Sequence, residues 1–85
     1  MFSYENNKIA VIGLGYVGLP LAVEFGKKYR TTGFDINKRR IDELADGFDN
    51  TLELTSDDIL FSSRLSFTSD EQDLAESNIY IITVP

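Results

Sequence analysis

The stretch VIGLGYVGLPLA, residues 11–22, places Gly13, Gly15 and Gly18 at G-x-G-x-x-G spacing, directly after an apolar run and directly before a helical pattern. Upstream, KIAVIG (8–13) is short, β-branched and almost wholly apolar, which suits a central strand covered on both faces. Downstream, Val17, Leu21, Ala22 and Phe25 fall on one side of a helix, while Glu24, Lys27 and Lys28 fall on the other. Pro20 restricts where that helix begins, because proline is tolerated only in the first turn, whose N–H groups have no intrahelical partner. The pattern therefore predicts a helix starting near Tyr16 or Val17, with the glycine loop feeding straight into its N-terminus.

Further along, RTTGFD (30–35) reads as a second strand that ends in an acid. Asn37 is placed to cap a following helix with Ile41, Leu44 and Ala45 turned inward and Gly47 as its stop. Residues 48–63 carry a weaker pattern, in which Thr55 and Asp58 resemble a cap before ILF and predict one or two more helical turns. LSFT (65–68) alternates like a strand, Ser69 with Gln72 forms a capping box for DEQDLAE, and IYIITV (79–84) is another apolar strand. Strands alternating with helices predict a parallel sheet with right-handed crossovers. The expected fold is α/β: a Rossmann-type three-layer αβα arrangement with strand order 3-2-1-4, the first half of a doubly wound sheet.

With 85 residues the chain makes one small domain at most, and with 42% hydrophobic residues its composition is that of a globular, water-soluble domain. Its net charge of −6 argues against nucleic acid and against an anionic membrane surface, both of which need clustered Lys and Arg. No apolar stretch approaches the ~18 residues of a spanning helix, and MFSYENNK (1–8) lacks the apolar core of a signal peptide, so a cytoplasmic setting is expected. Cysteine and histidine are both absent, which removes thiol nucleophiles, disulfides and His-based triads from this stretch.

In a dinucleotide site each glycine has its own task. Gly13 permits the tight turn, Gly15 lets the backbone reach a pyrophosphate, and Gly18 lets the helix approach the sheet. Backbone N–H groups at Tyr16 and Val17 would meet the phosphate charge at the positive helix end, so side chains at Leu14, Tyr16 and Val17 matter less than backbone access. The bland alternative is a plain tight turn. Asp35, 22 positions after Gly13, answers the loop: an acid at the end of the second strand accepts hydrogen bonds from the adenosine ribose. Its own alternative is a turn residue or helix cap. A carboxylate there repels the 2′-phosphate of NADP, so NAD is the expected cofactor. Arg39 and Arg40 leave that open, since either could reach a 2′-phosphate or be an ordinary solvated helix side chain. A milder role has Arg40 covering the adenosine ribose or adenine. Gly33 clears space either for the adenosine or for packing. Thr83, Val84 and Pro85 end the fourth strand where open α/β sheets bind ligands, or simply terminate it.

KIAVIGLGYVGLPLAVEFGKKY, GFDINKRRIDEL and NIYIITVP together resemble the N-terminal segment of the UDP-glucose/GDP-mannose dehydrogenase family. Within it the likeness is to the UDP-N-acetylhexosamine 6-dehydrogenases of Vi-type and O-antigen polysaccharide synthesis. The resemblance implies oxidation of the C6 alcohol of a UDP-sugar to a carboxylate with two NAD⁺, by way of a cysteine-bound thiohemiacetal, in a homo-oligomer. It implies cofactor contacts at Tyr16 and Val17, Asp35, Arg40 and Thr83 to Pro85, which join Gly13, Leu14, Gly15 and Gly18 of the loop as the expected cofactor-binding residues. No catalytic residue is implied here, because the family's nucleophilic Cys and sugar domain lie further along; the chain reads as part of a longer enzyme. A stand-alone nucleotide-sensing Rossmann module is the alternative from another class. A hydroxyacid dehydrogenase of the 6-phosphogluconate type is weakened by Tyr16-Val17 in the loop.

Overall fold

The computed structural model of the chain describes residues 7–15, 17–47, 59 and 62–83. Strands β1 (Lys8–Ile12), β2 (Arg30–Phe34), β3 (Leu65–Thr68) and β4 (Ile79–Ile82) are joined by helices α1 (Gly18–Gly26) and α2 (Lys38–Ala45) and by a 3₁₀ turn over Glu71–Leu74. Every pairing is parallel, and the order is β3-β2-β1-β4, as the alternation predicts. The central position of β1 explains its composition. Ile9, Ala10 and Val11 are all buried, so both faces of the strand are covered.

Register sorts the sheet into two unlike faces. Ile9 and Val11 align with Ile79 and Ile81 of β4, and through Thr31 and Gly33 with Leu65 and Phe67 of β3. This face receives α1, which packs across β1, β2 and β3, and α2, which packs on β3. Leu19, Ala22 and Val23 of α1, Ile41 and Leu44 of α2, and Ile59 complete its core. The opposite face carries the alternate residues. There Tyr80 donates its hydroxyl to the Leu74 carbonyl at 2.7 Å, which seats the 3₁₀ turn on that side.

Local signals account for most element ends. Pro20 is the third residue of α1, with Val17 at the N-cap, so the missing N–H falls in the first turn as expected. Asn37 caps α2 by accepting from the Arg40 N–H at 3.3 Å, and Gly47 ends it with φ of 82°. Residues 70–76 differ from expectation. They form only the short 3₁₀ turn, capped by Asp70, whose Oδ1 accepts from the Gln72 N–H at 2.9 Å, and not by a Ser69–Gln72 box. With two adjacent candidates, the side chain that meets the first free N–H decides. The cap expected at Thr55 and Asp58 lies outside the described residues, although Ile59 itself is helical and buried.

Candidate functional site

Because all four strands run the same way, their carboxyl ends meet at one rim, and β1 and β4 flank the point where the strand order reverses. Open parallel sheets bind ligands at such a point. The glycine loop leaves β1 there. Gly13 has φ of +95°, a conformation that favours glycine, and a Cβ on it would lie 2.5 Å from the Thr83 carbonyl oxygen. A Cβ on Gly18 would lie 1.7 Å from the Gly13 carbonyl oxygen and 2.6 Å from Thr83 Oγ1. These two glycines let α1 and the turn close on the end of β4. Gly15 is different, for a Cβ there meets nothing within 4 Å.

The polar groups of the loop divide as sharply. The Gly13 N–H donates to the Phe34 carbonyl at 2.8 Å, and the Gly13 carbonyl accepts from Thr83 Oγ1 at 2.8 Å. The Leu14 N–H donates to Asp35 Oδ2 at 3.0 Å, and the Leu14 carbonyl accepts from Arg40 Nε at 3.0 Å and Nη2 at 2.7 Å. Beyond Leu14 the pattern changes. Gly15 and Val17 are exposed, and among the described residues their N–H groups have no acceptor. No acidic residue occupies the first turn of α1, and Val17 gives no side-chain cap. Unpaired N–H groups at the positive end of a helix, beside a residue with open space over its Cα, suit an anionic group. A dinucleotide pyrophosphate therefore fits this ledge.

Asp35 stands where the sequence puts it, just past β2. Its Oδ1 accepts from the Asn37 N–H at 2.9 Å while its Oδ2 holds Leu14. It is thus a turn residue and a loop anchor. A carboxylate offers about four lone-pair sites, so capacity for ribose hydroxyls remains after two bonds. Thr83 is both a strand terminator, its N–H donating to the Ile12 carbonyl at 2.9 Å, and a tether on the turn. Tyr16, Val84 and Pro85, expected in the site, lie outside the described residues.

One reading of the sequence needs correction, and two that it left open are narrowed. Leu14 is not a position where the side chain matters little, since it is 0% exposed and belongs to the core. Gly33 makes room for it: a Cβ there would lie 3.2 Å from both Leu14 methyl carbons and from the Phe67 ring, which favours the packing role of the two that the sequence left open. Arg40 is not a solvated helix side chain; it is 7% exposed and turned under the loop. The clue was its position one turn before the inward Leu44, on the same side of α2. Arg39 is the surface residue of the pair, with Nε 3.2 Å from Glu43 Oε1.

A cavity of about 310 Å³ lies away from this rim, bounded by Leu44, Ile59, Leu65 and Phe67 among others. Among the described residues no cluster of three or more His, Cys, Asp or Glu is arranged to hold a metal, and no helix is long and apolar enough to cross a membrane.

Comparison with known proteins agrees with this geometry. Residues 7–85 match the family described as the UDP-glucose/GDP-mannose dehydrogenase family, NAD binding domain. The chain is 55% identical over 85 residues to UDP-N-acetyl-D-glucosamine 6-dehydrogenase of Salmonella typhi, a match covering 100% of the chain and 20% of that protein. To the enzyme of the same name from Pseudomonas aeruginosa it is 59% identical over 78 residues, covering 92% and 18%. Its fold superposes on a ternary complex of GDP-mannose dehydrogenase from Pseudomonas aeruginosa with a TM-score of 0.81 at 26% identity, covering 91% of the chain and 19% of that structure. The chain thus spans about a fifth of the length of these relatives.

Proposed function

The chain belongs to the UDP-glucose/GDP-mannose dehydrogenase family as part of its NAD-binding domain, and from that premise we propose that it holds NAD for the oxidation of a UDP-sugar at C6. The substrate class is a UDP-N-acetylhexosamine or UDP-glucose, and the product is the uronic acid, made for surface polysaccharide. Converting an alcohol to a carboxylate removes four electrons, hence two NAD⁺ are consumed. NAD supplies the hydride acceptor when bound.

This chain's own residues bind and orient. The N–H groups of Gly15 and Val17, with that of Tyr16 between them in sequence, take the pyrophosphate. Asp35 takes the adenosine ribose and disfavours a 2′-phosphate. Thr83 borders the ligand just past the end of the fourth strand, and Val84 and Pro85, which follow it in the sequence, are assigned to the same contact. One observation carries the reading: an exposed Gly15 with open space over its Cα and an N–H that has no acceptor among the described residues, just before a helix with no acid in its first turn. A cytoplasmic, homo-oligomeric enzyme goes with it, to be checked by fractionation and sedimentation of the full-length protein.

The test is a calorimetric titration of the full-length protein with NAD and NADP, followed by assay of NADH formation over a panel of UDP-sugars. The expected outcome is NAD binding in preference to NADP, and NADH production with a UDP-N-acetylhexosamine or UDP-glucose. Absence of NAD binding would refute the proposal at its root; NADH production from none of the UDP-sugars would refute the activity while leaving the cofactor site.

A further inference from the structure

We infer that Arg40 is a positioning residue of the dinucleotide loop, which aims the Gly15 N–H at the ligand by holding the Leu14 carbonyl from below. The inference rests on the dinucleotide reading above and concerns Arg40's contact with the loop, alongside the cofactor contact that the family resemblance implies. Its basis is the planarity of the peptide group. The Leu14 C=O and the Gly15 N–H belong to one trans peptide and point in opposite directions, so whatever fixes one fixes the other. Arg40 fixes the carbonyl with two donors, Nε at 3.0 Å and Nη2 at 2.7 Å, in a fork that resists rotation of its acceptor. The Gly15 N–H is thereby turned outward, where no protein acceptor is found among the described residues.

The preceding peptide is locked in the same way. Thr83 Oγ1 holds the Gly13 carbonyl and Asp35 Oδ2 holds the Leu14 N–H. Leu14 itself cannot swing, because its side chain fills the space left by Gly33 in a fully buried site. Gly15 has room that Leu14 lacks, since it carries no side chain and a Cβ on it would meet nothing within 4 Å. Removing the guanidinium leaves a buried carbonyl without its donors. The Leu14–Gly15 peptide then turns to seek another partner, and the Gly15 N–H leaves its direction.

The experiment uses full-length protein labelled with ¹⁵N-glycine. The Gly15 amide signal is identified by its loss in Gly15→Ala, a change that adds a methyl group into open space. In the wild type, saturating NAD should displace that signal as the N–H takes on a phosphate acceptor. In Arg40→Met the Gly15 signal should start at a different position and stay unmoved by NAD, with affinity about ten- to a hundredfold lower, the loss of a hydrogen bond to a charged donor. Wild-type affinity together with a wild-type Gly15 response in Arg40→Met overturns the inference. So does weakened affinity with an unchanged Gly15 response at saturation, which marks Arg40 as a direct ligand contact. If the wild type itself shows neither NAD binding nor a Gly15 response, the dinucleotide reading fails and the inference falls with it. Should Arg40→Met not fold, Arg40→Lys keeps the charge but replaces the fork by a single point donor. A diminished Gly15 response there supports the inference, and a full one overturns it.

Discussion

Gly15 and Gly18 sit three positions apart under opposite constraints. Gly18 is enclosed, since its Cβ would stand 1.7 Å from the Gly13 carbonyl oxygen, and backbone cannot withdraw as a flexible side chain can. Gly18→Ala should therefore cost about 3 kcal/mol or more by overpacking, read as a lower denaturation midpoint with the fold itself at stake. Gly15→Val should leave the midpoint nearly unchanged, because the added atoms enter open space at a φ outside the left-handed region. It should abolish NAD binding all the same, because those atoms occupy the volume a pyrophosphate needs. Undiminished NAD affinity in a folded Gly15→Val protein would remove the glycine loop from the site. Asp35 tests the other end of the cofactor. Asp35→Ser removes the acceptor of the Leu14 and Asn37 N–H groups along with the charge. We expect NAD affinity to fall by about 1.5–3 kcal/mol and NADP affinity to fall less or rise. A parallel loss for both cofactors, measured by titration, would show that Asp35 serves only as a loop anchor.

Helix α1 is built with its first turn left open. Its N-cap is Val17, which gives no side-chain hydrogen bond, and no acid follows in the first turn. A helix selected for stability alone would place Ser, Asp or Asn there. Val17→Asp should thus raise the stability of the ligand-free protein, by up to about 1 kcal/mol, through capping and the helix dipole. The same carboxylate should weaken NAD by repelling its phosphates, so thermal denaturation and titration are expected to move in opposite directions. If both improve, the end of α1 does not face an anion. The start of this helix was legible because Pro20 and three spaced glycines restrict the backbone locally. The asparagine cap, the glycine stop of α2 and the strand order were legible for the same reason, being fixed by residues near in sequence or by short-range periodicity. Arg40 and Leu14 were not. A long cation after an asparagine cap reads as surface, and only the approach of β1's loop to α2, 26 residues away in the chain, supplies the carbonyl that draws it inward. Gly33 was ambiguous likewise, since its partner Leu14 is brought across by the fold.

At the scale of the molecule, the two faces of the sheet are unequally covered among the described residues. Helices α1 and α2 enclose one face, whereas on the other Tyr80 is 49% and Ile82 69% exposed, next to the partly buried Ile12 and Phe34. β4 also lies at the end of the strand order, so among the described residues its outer edge has no paired strand. Apolar side chains beside an unpaired strand edge form a template for a second chain. We expect the 85-residue chain, prepared alone, to sediment as species larger than a monomer, in proportions that rise with concentration. Ile82→Lys should shift it toward the monomer, because a charge on an apolar strand face opposes both stacking and pairing. The same preparation should bind the ADP portion of NAD only weakly, since the loop and Asp35 offer few contacts to offset the immobilisation of the ligand. Incubated with NAD⁺ and UDP-sugars it should yield no NADH, as its sequence contains neither Cys nor His. A chain that stays monomeric at every concentration would show that this face does not associate, and measurable turnover would place the chemistry within these residues.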